Sequence, residues 1–422
     1  MHIAQHTSNE QHDPSTSPLG PPASRRRRWR LVIAVLALLA LAVPDAGAVA
    51  GPLEHGTAMA DPSVAKVGPQ RYVAVATGPN VRRLISRNGM RWRPISPALA
   101  TRPAWARPGS AIWAADLVHV RRRWLLYFAA PVRGMGETSR CIGVAAARTS
   151  TGRFRPVGRR PLVCPPAARA PRAEDRILDR RRARPTLPTI GAIDPSAFVD
   201  RGRVFLLYKT DGKPSSIRIL RLRANGLHAR GRSRALLTNR GVVENPVMVR
   251  RGRWLYLFMS AGDYSRCSYS TVWRRSRNVF RWRNRPQRTL LARRSTGLCG
   301  PGGADVVVDR RSVRLYFHAW TCRRSGRPCA ASFHMTGRTG GGPVRALYGA
   351  RLRFSRRAVR VASYIRPHTQ AARHHAQKKR HHARAHHARR HHVKRQHVKR
   401  QHHAQKHRKH RPAKRHRVHR RR

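Results

Sequence analysis

The sequence predicts an all-β chain built as a five-bladed β-propeller, and three observations carry that expectation. One phrase recurs five times between residues 61 and 305: a carboxylate opening a β-branched run, a tight basic turn, then a second, aromatic-rich strand. The copies start 55, 78, 50 and 61 residues apart, spacings of a blade-sized unit rather than of a hairpin pair. A unit whose apolar face cannot be buried alone must stack on its neighbours, and five such units suit a closed ring.

The elements follow in chain order. Residues 1–50 read as a targeting region: Arg25 to Arg28, Trp29 and Arg30 precede the apolar run LVIAVLALLALAV, then Pro44 and small residues. Thirteen apolar residues are short for a membrane span and suit a signal-peptide core. The expectation is export, secreted or cell-surface, with cleavage near Ala46-Gly47-Ala48 or Ala48-Val49-Ala50, or retention as an anchor. SRRRRWRL also has some twin-arginine character.

The propeller is placed at residues 51–360. Its phrases are ADPSVAKVGPQRYVAVA, ADLVHVRRRWLLYFAA, DPSAFVDRGRVFLLYK, ENPVMVRRGRWLYLFMS and ADVVVDRRSVRLYFHAW, with acids at Asp61, Asp116, Asp194, Glu244 and Asp305. Thirteen acids lie between residues 56 and 350, so five in register is a large share to place at one end of a repeat. If each innermost strand starts at the central channel, those carboxylates converge on one cavity and point to chemistry. The alternative is that each caps a turn, as Asp before Pro often does. Six cysteines accord with export, and proximity within blades pairs Cys141 with Cys164, Cys267 with Cys299 and Cys322 with Cys329.

Residues 361–422 read as a disordered tail rich in His, Arg and Lys. Of the formal charge of +73, the stretch from 366 onward supplies 22 Lys or Arg and no acid, which leaves +51 on the rest. Before residue 366, Lys occurs only at 66, 209 and 213, so the basic residues are otherwise arginines. Such a surface binds polyanions in a salt-dependent way, and the tail is expected to adhere to anionic cell-wall polymer or another polyanion. No recognition helix, zinc finger or RNA-binding signature is present.

Among reactions, a ring of carboxylates fits glycoside hydrolysis, which needs one carboxylic acid to protonate the leaving oxygen and one carboxylate to activate water or attack carbon. Phosphoryl transfer would want a glycine-rich phosphate loop, and a serine triad a GxSxG turn; neither appears.

The phrases ADPSV, IWAAD, GAIDPSAF, YKTDG, VVENPVM and YFHAW, together with CIGVAAARTSTGRFRPVGRRPLVC, resemble glycoside hydrolase family 43, the arabinofuranosidases, arabinanases and xylosidases, over about residues 56–354. The resemblance implies a five-bladed propeller and an inverting mechanism on α-L-arabinofuranosyl or β-xylosyl linkages. It implies Asp61 as general base, Glu244 as general acid, and Asp194 as a third carboxylate that orients the acid and raises its pKa. Trp113 is either a sugar platform or a core tryptophan, and Asp116 a sugar contact or a turn cap. Asp211, in YKTDG, is a further substrate contact. His318 would face the channel, touching substrate and helping to hold a central calcium ion through water. Asn245 departs from the family wording by putting an amide beside the acid. The expected partner is an oligosaccharide or polysaccharide and the expected state a monomer. The competing class is a non-catalytic carbohydrate-binding propeller on the cell surface; a third is a polyanion-binding protein.

Overall fold

The computed structural model describes residues 51–367 except 134–137, 165–190, 212–213, 310–311, 323–325, 337–341 and 356–357. Residues 1–50 and 368–422, and with them the expectations of export and of adhesion, lie outside the described residues.

Five four-stranded antiparallel sheets follow one another, each a meander in chain order. Blade one holds β1 (Ser63–Gly68), β2 (Arg71–Ala76), β3 (Arg82–Ser86) and β4 (Arg93–Ile95); blade two β5 (Trp113–Val120), β6 (Arg123–Pro131), β7 (Arg140–Ala147) and β8 (Arg155–Pro156). Blade three holds β9 (Ala192–Asp200), β10 (Arg203–Thr210), β11 (Ser215–Arg221) and β12 (Arg234–Asn239). Blade four holds β13 (Val243–Arg251), β14 (Trp254–Ala261), β15 (Ser270–Ser276) and β16 (Arg288–Leu291); blade five β17 (Cys299–Val308), β18 (Val313–Thr321), β19 (Val344–Phe354) and β20 (Val359–Tyr364). The one described helix, α1 (Arg293–Thr296), is a single turn before β17.

The basic turns read in the sequence are the tight hairpins joining first and second strands. Val120 pairs with Arg123 and Asp200 with Arg203, leaving two-residue loops. Arg121, Arg201 and Gly202 take the left-handed backbone that such turns require.

Alternation along the second strands builds the core. Leu126 and Phe128 face blade one, whereas Leu125 and Tyr127 face blade three. Likewise Leu206 and Tyr208 pack toward blade two, Phe205 and Leu207 toward blade four. Each of the five junctions thus has its own apolar cluster, the last joining Tyr316 and Val307 of blade five to Val64 and Tyr72 of blade one. The ring is also closed by backbone: Leu53 N–H donates to Leu347 O, Leu347 N–H to Glu54 O, and Met59 N–H to Arg345 O, which ties the start of the described chain to β19. The three disulfides are Cys141–Cys164, Cys267–Cys299 and Cys322–Cys329, the pairing expected from proximity within blades.

Candidate active site

The channel is lined by three consecutive residues from each innermost segment: Asp61-Pro62-Ser63, Ala114-Ala115-Asp116, Asp194-Pro195-Ser196, Asn245-Pro246-Val247 and Gly303-Ala304-Asp305. Its volume, about 30 Å³, leaves room for water. The first residue of each triplet has positive φ, at 51°, 43°, 54°, 47° and 55° in turn. In blades two to five this left-handed residue sits in a bulge that breaks the first ladder.

That alignment corrects the register read from the sequence. The five acids are not equivalent: Asp61 and Asp194 occupy the left-handed position, Glu244 precedes it by one, and Asp116 and Asp305 follow it by two. The bulges break regular alternation at these positions, and by their partners the acids divide into two groups.

Asp116 and Asp305 form one group with Ser63. Ser63 Oγ donates to Asp116 Oδ1 at 2.9 Å and Ala197 N–H to Asp116 Oδ2 at 2.8 Å. Val64 N–H donates to Asp305 Oδ2 at 2.6 Å and Val306 N–H to Oδ1 at 2.7 Å. Each carboxylate therefore ties its blade to the next. Burial and the Asp305 charge push Asp116 up to about 7.

Asp61, Asp194 and Glu244 form the second group. Thr77 Oγ1 donates to Asp61 Oδ2 at 3.0 Å, and Arg345 Nη1 lies 3.3 and 3.4 Å from its two oxygens. Burial opposes ionisation, but the Arg345 guanidinium and the Thr77 hydroxyl outweigh it and hold Asp61 below the usual carboxylate range. His318, fully buried, accepts the Asp61 N–H on Nδ1 at 3.1 Å; burial and Arg345 push it down to about 3, so it is neutral. Glu244 receives Lys209 Nζ on Oε2 at 2.7 Å and the Tyr269 hydroxyl on Oε1 at 2.7 Å. The same hydroxyl lies 2.9 Å from Asn245 Oδ1, and the Tyr269 ring stacks on His318 at 5.9 Å between centroids. Asp194 Oδ2 accepts the Asn245 N–H at 3.0 Å. Burial, then the nearby Glu244 charge, drive Asp194 well above the usual range against the pull of Lys209.

One position on the second strands organises these contacts. Thr77, Ala129, Lys209, Ser260 and His318 stand at matching places in or just beyond β2, β6, β10, β14 and β18. Thr77 accepts the N–H of Ala114, Ser260 that of Gly303 and His318 that of Asp61, each the left-handed residue of the next blade. Lysine has no acceptor, so at the third junction Asn245 N–H turns to Asp194 and Lys209 takes Glu244 instead.

The other expected contacts are also located. Arg140, itself buried, stacks over one face of the half-buried Trp113 ring at 3.3 Å from its centroid. Asp211 lies 3.3 Å from Lys209 Nζ. For calcium, the residues do not fit a directly ligated ion. With His318 Nδ1 accepting a hydrogen bond, the ring proton sits on Nε2, which is buried without a protein partner and is a donor rather than a ligand. Among the described residues no group of three His, Cys, Asp or Glu could hold a metal. No step below runs through one.

Sequence reasoning missed Lys209, Tyr269, Arg345 and Thr77 as site residues. Lys209 carried a signal: it continues the buried stripe Phe205, Leu207 and is one of three lysines before the tail. Tyr269 and Arg345 carried none, since Tyr269, just before β15, and Arg345, in β19, lie outside the repeated phrase.

The sequence profile described as "Glycosyl hydrolases family 43" matches residues 55–339. The chain belongs to that family. Its members are glycosidases, enzymes that hydrolyse O-glycosyl bonds. Solved structures agree on the fold. A thermostable family-43 glycoside hydrolase superposes with a TM-score of 0.57 at 17% identity, over 76% of this chain and 98% of that one. The Cellvibrio cellulosa α-L-arabinanase bound to arabinohexaose gives 0.54 at 19%, covering 74% and 98%. An endo-1,4-β-xylanase from Bacteroides thetaiotaomicron gives 0.53 at 19%, covering 75% and 98%. No curated protein sequence matches the chain.

Proposed function

We propose that this family-43 enzyme is an inverting glycosidase of α-L-arabinofuranosyl linkages, with β-xylosides as the second substrate class, acting on oligosaccharide or polysaccharide outside the cell. Asp61 serves as general base, Glu244 as general acid and Asp194 as the third carboxylate. The observation that carries the reading is the unequal treatment of the acids around one channel. Asp61 is held ionised by Arg345 and Thr77, as a base that must take a proton from water should be. Asp194 is driven toward its neutral form beside Glu244. A proton is thereby kept in the group while the base stays charged, the division of labour that hydrolysis with two carboxyls needs.

In the mechanism, water held by Asp61 attacks the anomeric carbon as Glu244 protonates the departing oxygen. Lys209 and Tyr269 fix the Glu244 carboxyl, and Trp113 packs against the sugar ring. The arabinohexaose bound to the Cellvibrio enzyme supports arabinan-type chains as the first substrate to try. The test is reducing-sugar release from debranched arabinan by the full chain, its Asp61→Asn variant and its Glu244→Gln variant. Loss of turnover in both with arabinan binding kept is expected. Binding by all three proteins with no turnover by any would favour the carbohydrate-binding propeller.

A further inference from the structure

Of the five equivalent second-strand positions, two, Ala129 and Lys209, hold side chains that cannot accept a backbone N–H, and of these Lys209 alone carries a charge. Thr77, Ser260 and His318 each accept a backbone N–H from the next blade, which is a structural task. Lys209 cannot do that task, lies buried at 4% exposure, and stands at the end of the buried face begun by Phe205 and Leu207. An ammonium is costly to bury unless its partners compensate it, and Lys209 has Glu244 at 2.7 Å and Asp211 at 3.3 Å.

We propose that Lys209 is a positioning residue for Glu244, fixing the direction of its carboxyl and holding a positive charge against it. This rests on the reading of Glu244 as general acid. Burial alone would lower the lysine, yet Glu244, Asp194 and Asp211 raise it well above its usual value, so it stays charged wherever the enzyme works. Five side chains act on Glu244 or its neighbours: Lys209 from β10, Tyr269 from the segment before β15, Asp194 from β9, Asp211 just after β10, and Asp61 from the segment before β1. Of these Lys209 alone is a cation. Its removal leaves a carboxyl cluster that binds protons more tightly.

The measurement is the pH profile of kcat/KM, whose alkaline limb reports the pKa of the essential acid in the free enzyme. Full-length wild type, Lys209→Met, Lys209→Arg and Asp211→Asn are compared on an aryl α-L-arabinofuranoside, with thermal unfolding followed in parallel. Lys209→Met should move the alkaline limb up by about one pH unit or more, a tenfold change in proton affinity. Lys209→Arg should leave the limb near wild type while kcat falls, because charge is kept and geometry is not. Asp211→Asn, which strips a negative charge from the same cluster, should move the limb down. A dinitrophenyl arabinofuranoside, whose leaving group needs no proton, should be cleaved by Lys209→Met at a kcat close to that of wild type.

Limbs that stay in place in both Lys209→Met and Asp211→Asn would overturn the proposal, as would an equal loss of kcat on both substrates. If Lys209→Met does not fold, the downward shift in Asp211→Asn decides. Undiminished hydrolysis by Glu244→Gln would instead defeat the assignment of the acid, a separate result.

Discussion

The Asp116–Asp305 pair makes stability depend on pH in a direction opposite to ordinary acid denaturation. Burial and the Asp305 charge push Asp116 up to about 7 in the folded chain, against about 3.9 when unfolded. Its pKa is raised on folding, so between those values the folded state binds the extra proton. The stabilisation is fully present below the unfolded value and is lost as pH rises through 7. A difference of about 3 units at about 1.4 kcal/mol each gives a loss on the order of 4 kcal/mol across that window. Asp116→Asn removes the titration while keeping an oxygen that can accept from Ser63 or Ala197. The assay is urea unfolding at pH 4, 5.5, 7 and 8, followed by tryptophan fluorescence. The stability of wild type minus that of the variant should fall steadily over the series. Parallel curves would refute the reasoning, and would mean that the pair shares no buried proton.

Three further outcomes follow from named contacts. Alanine at Gly302 would set its Cβ 2.2 Å from Tyr269 Cε1. The displaced ring would release Glu244, so Gly302→Ala should lower kcat at least tenfold and cost about 1–3 kcal/mol, read by kinetics and urea unfolding. Thr77→Val removes a hydrogen bond that keeps Asp61 ionised; the acid limb of kcat/KM should move to higher pH, and an unmoved limb would count against Asp61 as base. Phe128→Ala empties the junction of blades one and two and should cost about 3–5 kcal/mol without shifting either limb.

Much of the fold was legible because a propeller repeats itself. The five phrases marked the paired first and second strands of every blade, and the Arg201-Gly202 turn between Asp200 and Arg203 was readable from residue type. Their register at the channel was not legible. A bulge inserts residues without changing the hydrophobic pattern, so Glu244, Asp116 and Asp305 seemed to match Asp61 when they stand one before or two beyond its position. The carboxylates themselves were found, since acids are scarce in this chain. Their partners were harder, because Tyr269 lies outside the repeated phrase and Arg345 is one arginine among many. The Gly302-Gly303 pair is explained only in three dimensions: it clears space for Tyr269 and His318.

The most direct test of Asp61 and Glu244 as a base and acid acting through water is proton NMR of the first sugar released from an α-L-arabinofuranoside. The account predicts that the β-anomer appears first and then mutarotates. The α-anomer appearing first would contradict it, because it would require a covalent glycosyl-enzyme in place of water activated by Asp61.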